Sequence, residues 1–153
     1  MTHNVTQPTV EHIGPEPARA TSSAGGYDVG VLKKTIIVEN QCALVETGVY
    51  LNMMLSEVAM LGFLLPRSSL FRNHGLMLSN GCGLIDQDYQ GQVMLSLWSP
   101  RGKATLEAGE RIGQLVFLQH LCPTLRKVEV FSTPETARSA GGFGSTGSGL
   151  GQK

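Results

Sequence analysis

Short apolar runs, broken every few residues by turn formers, constrain this chain more than any other feature. Thr35-Ile36-Ile37-Val38, Ala43-Leu44-Val45, Val49-Tyr50-Leu51 and Ala59-Met60-Leu61-Gly62-Phe63-Leu64-Leu65 follow one another, with polar turns between. Val93, Leu95 and Leu97 then alternate with Met94, Ser96 and Trp98. Gly109 to Leu118 is a further run, with Ile112, Gln114, Val116 and Leu118 expected on one face. Period-two alternation marks strands with two distinct faces. Many short strands with frequent turn signals build an antiparallel sandwich or barrel. Val128-Glu129-Val130-Phe131 reads as the last strand. One short helix is expected: Pro66 stops a strand, Ser68 or Ser69 can cap a helix, and Gly75 can end it.

A length of 153 residues suggests one domain able to bury a core. Twelve basic residues balance twelve acidic ones, for a formal net charge of zero. The chain therefore has no overall positive field to hold nucleic acid, and an anionic ligand must be gripped locally. Cys42, Cys82 and Cys122 stand far apart with no C-x-x-C spacing, which argues against a zinc cluster. Their odd number and the lack of a signal peptide predict a reducing cytoplasm, the host's if the source is viral. The longest apolar run, Val58 to Leu65, is interrupted by Gly62 and is too short to span a bilayer, so no membrane association is expected.

The stretch with the most chemistry is Gly83 to Val93. It reads as a β-hairpin whose tip carries Asp86, Asp88 and Tyr89. A carboxylate held in a fixed direction can act as a general base, although Asp and Gln are also ordinary turn residues. Spacing alone does not choose between Asp86 and Asp88. Asn80 could read a base edge through its amide, or serve with Gly81 as a turn pair. Gly25-Gly26-Tyr27-Asp28-Val29 is a tight turn into a strand with Asp28 at its start. Arg67, beside the expected helix start, can offer a bidentate phosphate donor or be a surface arginine. Gln114, set among apolar neighbours, must pair with local backbone or meet a ligand.

The chain has nineteen glycines, and they crowd most densely into the tail between Gly141 and Gly151, after Arg138-Ser139-Ala140. The tail reads Arg138-Ser139-Ala140-Gly141-Gly142-Phe143-Gly144-Ser145-Thr146-Gly147. Such a tail is a functional arm or a disordered end. Its backbone N–H groups can converge on phosphate oxygens, Ser145 and Thr146 add hydroxyls, and Phe143 can stack on a nucleobase. No Gly-Lys-Ser/Thr follows at Walker spacing.

Five segments in this order resemble the five motifs of the trimeric dUTP pyrophosphatase (dUTPase) family: Gly25 to Val29, Pro66 to Leu70, Gly83 to Gly91, Gly109 to Leu115, and Arg138 to Gly147. The third and fifth together are highly specific. The resemblance implies an all-β, jelly-roll-like distorted β-barrel with one short helix. It implies a homotrimer with active sites at subunit boundaries. The expected organisation is a β-barrel domain over residues 1–137 and a flexible arm over 138–153 that closes over the active site. The implied reaction is hydrolysis of dUTP to dUMP and pyrophosphate, which keeps uracil out of DNA and supplies dUMP for thymidylate synthesis. Magnesium would ride on the triphosphate and waters with no direct protein ligand, and Asp28 would touch that network from outside. By motif position, Asp86 would activate the attacking water. Tyr89 would press on the deoxyribose, and Asn80 with hairpin backbone at Gly83 and Ile85 would read uracil. Arg67, Ser68, Ser69 and Gln114 would hold the phosphates. Arg138, Phe143, Gly144, Ser145 and Thr146 would close over the nucleotide. Gly25, Gly113 and Ser139 depart from the residues usual in the family (alanine, alanine and glycine), with only modest effects on loop flexibility expected.

A dCTP deaminase of the same fold would share the barrel but needs a different acid–base group and no Phe-bearing arm. A nucleotide-switched regulatory protein would be signalled by an insertion between motifs, and the spacing here is compact.

Overall fold

The structure, a computed structural model, describes residues 8–134 and Thr136. The chain divides into two units, Met1–Leu121 and Cys122–Lys153. In the first, the strands are β1 (Glu11–Ile13), β2 (Tyr27–Gly30), β3 (Thr35–Ile37), β4 (Cys42–Asn52), β5 (Met60–Pro66), β6 (Met77–Leu78), β7 (Gly83–Ile85), β8 (Gln92–Trp98), β9 (Ala104–Leu106) and β10 (Arg111–Gln119). One helix, α1 (Leu70–His74), interrupts them. No helix among the described residues is long and apolar enough to cross a membrane.

The strands form two four-stranded sheets, ordered β1-β4-β8-β6 and β2-β10-β5-β7, and a ribbon of β3 with β9. All pairings are antiparallel. The expected all-β architecture is present. No ladder among the described residues closes the sheets into a barrel. Val45, Val93, Leu95 and Leu97 of the first sheet and Val29, Leu64, Ile85 and Leu115 of the second belong to one buried cluster. A Cβ placed on Gly113 of β10 would meet Leu95 Cδ2 of β8 at 2.7 Å, so the two sheets touch there through bare backbone. Burying each large aliphatic side chain contributes about 1.5–3 kcal/mol, which is why this cluster carries the fold.

The sequence read Ala43–Val45 and Val49–Leu51 as two strands with a turn between, but they are one, β4. Between the pairs Glu46↔Met94 and Tyr50↔Gln92 the ladder shifts, so three residues of β4 oppose only Val93. Thr47 Oγ1 donates to Val93 O at 2.6 Å and accepts from Val49 N at 3.1 Å, and Gly48 takes φ 72°. The apparent turn is a bulge that bends one long strand.

Asp86 and Val93 do not flank a hairpin. β7 pairs with β5 in one sheet, and β8 pairs with β4 and β6 in the other. The segment between them therefore crosses from sheet to sheet. Alternation reports which face a residue takes, and says nothing about which strand lies alongside.

The expectation for β10 also shifts by one residue. A bulge between Arg111 and Gly113 places Ile112, Gly113 and Leu115 inside and Gln114 on the other face, opposite Asp28. In the second unit, Val128 to Phe131 is not a strand. Strand-like alternation is realised only where an edge is available to pair.

Candidate functional site

Five of the expected site residues come together around one cavity of about 240 Å3: Asn80, Gly83, Ile85, Asp86 and Tyr89. β7 contains Gly83 and Ile85 and leads directly into Asp86. Its ladder with β5 (Leu64↔Gly83, Phe63↔Leu84, Gly62↔Ile85) ends at Ile85, so Asp86 is the first residue past the last pair. Ile85 is buried, which pins the strand, while Asp86 stays exposed at the cavity rim. Asp88 is exposed and does not line the cavity. Asn80 lies in the turn after β6, where Gly81 N donates to Leu78 O at 3.2 Å. It is thus both the turn residue and a cavity residue.

Tyr89 is fixed at both ends. Its backbone N–H donates to Asp86 O at 3.0 Å, and its hydroxyl donates to Gln92 O at 3.0 Å. The ring lies directly over Gly91: a Cβ there would sit 2.5 Å from Tyr89 Cζ. Glycine at 91 is what lets the ring lie flat on the backbone and turn a rigid wall toward the cavity.

A second group lies at the β2, β10 and β5 end of the other ladder. Asp28 on β2 is paired across the strand with Gln114. Its carboxylate, whose side chain is 13% exposed, stands 3.4 Å from Arg67 Nε and 3.7 Å from Arg111 Nη1. Arg67 Nη1 also donates to Arg111 O at 3.1 Å, and Arg67 N donates to Ile112 O at 2.9 Å. Gln114 Nε2 donates to Pro66 O at 3.1 Å, so one of its two amide protons is taken by nearby backbone. One carboxylate between two guanidiniums leaves one formal positive charge over, which suits an anion. Arg111 was not singled out by sequence reasoning. Its only signal was a charge at the start of a strand whose partner carries Asp28.

Ser68 is exposed and Ser69 half-buried, directly after Arg67. Ser69 occupies the N-cap of α1 without a side-chain capping bond, whereas Gly75 closes the helix in the left-handed conformation with its N–H on Phe71 O. The two groups share no ion pair or hydrogen bond among the described residues. Arg138, Phe143, Gly144, Ser145 and Thr146 lie outside the described residues. A larger cavity of about 440 Å3, against Tyr27, Leu115 and Phe117, contains none of the expected catalytic or substrate-binding residues.

Among the described residues, no group of three or more His, Cys, Asp or Glu side chains could hold a metal. Asp28, the acid nearest the cationic group, is already engaged by two arginines. That donor set fits a hard divalent cation brought in on phosphate oxygens and water, and does not fit a protein-caged ion.

Residues 14–147 match the family model described as dUTPase. The chain is 43% identical over 137 residues to the deoxyuridine 5'-triphosphate nucleotidohydrolase of Acinetobacter baumannii, an alignment covering 87% of this chain and 88% of that one. Among solved structures, a dUTPase from Streptococcus mutans is 33% identical with a TM-score of 0.67, covering 75% of this chain and 98% of that one. A Staphylococcus bacteriophage 80alpha dUTPase with dUPNHPP is 22% identical with a TM-score of 0.82, covering 92% and 99%. That last likeness shows the fold.

Proposed function

The chain belongs to the dUTPase family and acts as a deoxyuridine triphosphate nucleotidohydrolase; we propose that Asp86 is the general base of that reaction. The observation that carries this assignment is Asp86 at the rim of the cavity that Asn80 and Tyr89 line, with Asp88 outside it.

With dUTP as substrate, forming dUMP and pyrophosphate breaks a P–O bond of the bridge between the first and second phosphates. The water oxygen bonds to the attacked phosphorus, and the bridging oxygen departs on the other product. Asp86 takes the proton of that water. The Asn80 amide and the backbone at Gly83 and Ile85 read the uracil edge, for which a mixed donor–acceptor set is needed. The Tyr89 ring, clamped over Gly91, presses on the deoxyribose and leaves no room for a 2′-hydroxyl. Arg67, Ser68, Ser69 and Gln114 bind the phosphate chain. Asp28 holds Arg67 and Arg111 in place and reaches any ion on the phosphates through water at most. Magnesium, when bound to the triphosphate, neutralises phosphate charge that the chain's few cations do not cover.

The functional unit is a homotrimer. The base and sugar residues and the phosphate residues form separate groups within one chain, which supports sites completed between subunits. Leu44 and Leu84, at 66% and 59% exposure, are apolar surface that such contacts would cover. Arg138, Phe143, Gly144, Ser145 and Thr146, in the arm over residues 138–153, close over the nucleotide with Phe143 on the base. The activity keeps uracil out of DNA and supplies dUMP, in the cytoplasm of the cell or host, with no nucleic-acid partner.

The test is pyrophosphate release from dUTP in magnesium buffer, with dTTP, dCTP and UTP alongside. Release from dUTP alone is expected. Ammonia from dCTP would overturn the reading in favour of a deaminase.

A further inference from the structure

We propose that Gln87, which follows Asp86 in the chain and precedes Asp88, is the positioning residue that aims Asp86 at its water. The proposal rests on Asp86 being the general base. A base works only within hydrogen-bond reach of the proton it takes, and a misplacement of about 1 Å can cost roughly a hundredfold. The β7 ladder cannot supply that aim, because it ends at Ile85. A hairpin cannot supply it either, because β8 lies in the other sheet.

What remains is local. Gln87 turns inward while Asp86 and Asp88 face solvent. Its Nε2 donates to Met53 O at 3.2 Å, and its Oε1 accepts from Met60 N at 3.4 Å. Met53 and Met60 are 0% and 3% exposed and stand at the two ends of the connection from β4 to β5. One side chain thus ties the start of the crossing segment to two points of buried backbone. The task needs a donor and an acceptor on one planar head at this length, which glutamine has. Aspartate, glutamate and serine cannot make both bonds with this reach in their neutral-pH forms. Asp86 O also accepts from Tyr89 N at 3.0 Å, but that bond joins it only to the far limb. The far limb is held by Tyr89 on Gln92 O and by Gln90 Nε2 on Asn52 Oδ1 at 3.4 Å. Gln87 is the side chain that ties the Asp86 end to the β4–β5 connection. Losing Gln87 therefore loosens the Asp86 end and leaves the Tyr89 wall and the nucleotide cavity in place.

The experiment compares Gln87→Met, which keeps the volume and loses both bonds, and Gln87→Asn, which keeps the amide but falls one methylene short, with Asp86→Asn and the unaltered full chain. Steady-state kcat and KM for dUTP and the melting temperature are read for each. The expected result is a kcat about tenfold lower in both Gln87 variants, corresponding to about 1.4 kcal/mol, with KM within twofold. A kcat within twofold of the unaltered chain in Gln87→Met, with Asp86→Asn inactive, overturns the role of Gln87 and leaves the base assignment standing. A fall in kcat matched by a rise in KM and a large loss of melting temperature also overturns it, since that is damage to the fold. Full turnover by Asp86→Asn overturns the base assignment and, with it, the reason to aim Asp86.

Discussion

Gly113 on β10 lies so close beneath Leu95 on β8 that a methyl group on its Cα would come within 2.7 Å of Leu95 Cδ2, and 3.2 Å of Val29 Cγ2. Small size at this position is a packing requirement between two sheets, beyond a matter of loop flexibility. Gly113→Ala is expected to lower stability by about 1–3 kcal/mol through overpacking. Gly25, where no atom lies within 4 Å of the added Cβ, offers the contrast. Gly25→Ala is expected to be neutral or to stabilise by up to about 1 kcal/mol through the unfolded state. Thermal denaturation of the two variants distinguishes them; equal melting temperatures would remove the contact between sheets as the explanation.

Asp86→Asn keeps the shape of the side chain and removes its ability to take a proton. Turnover of dUTP is expected to fall by roughly 10² to 10⁴, the usual range for a lost general base. Calorimetric affinity for a non-hydrolysable dUTP analogue is expected to stay within a few fold. Asp88→Asn, outside the cavity, is expected to leave both quantities nearly unchanged. Similar losses in the two variants would point to a shared electrostatic role.

Tyr89 combines a wall with an anchor, and two substitutions separate them. Tyr89→Phe loses the bond to Gln92 O and keeps the ring over Gly91. It is expected to retain discrimination against UTP with a modest loss of kcat. Tyr89→Ala opens the sugar position and is expected to raise kcat/KM for UTP relative to dUTP by at least about tenfold. An unchanged ratio would move sugar selectivity elsewhere.

Truncation before Arg138 removes Phe143, Gly144, Ser145 and Thr146 together. It is expected to cut kcat/KM for dUTP by orders of magnitude, since an arginine and a stacking ring each contribute on the order of 1–3 kcal/mol to nucleotide binding. The melting temperature is expected to move little, because the buried cluster among the described residues is built from Val29 to Leu115. A truncated chain that melts far below the full one would make the arm part of the fold.

Local chemistry in the sequence determined the elements whose causes are themselves local. Pro66 ends β5, Gly75 closes α1 in the left-handed region, and most of the apolar runs became strands, with one face of each in the core. The motif residues Asn80, Gly83, Ile85, Asp86 and Tyr89 were legible as a group because they are near neighbours in the chain. What only the tertiary structure decided is which pieces lie together. β7 chose β5 and not β8, so the stretch around Asp86 became a crossing between sheets. A bulge fused two apparent strands into β4, and another turned Gln114 toward Asp28. Arg111 entered the cationic group, and Gln87 reached Met53 and Met60, across 83 and as many as 34 residues of chain. The reason is physical: periodicity and turn chemistry act over a few residues and set faces and ends, whereas strand partners and cross-strand contacts are set by which surfaces bury the most apolar area together.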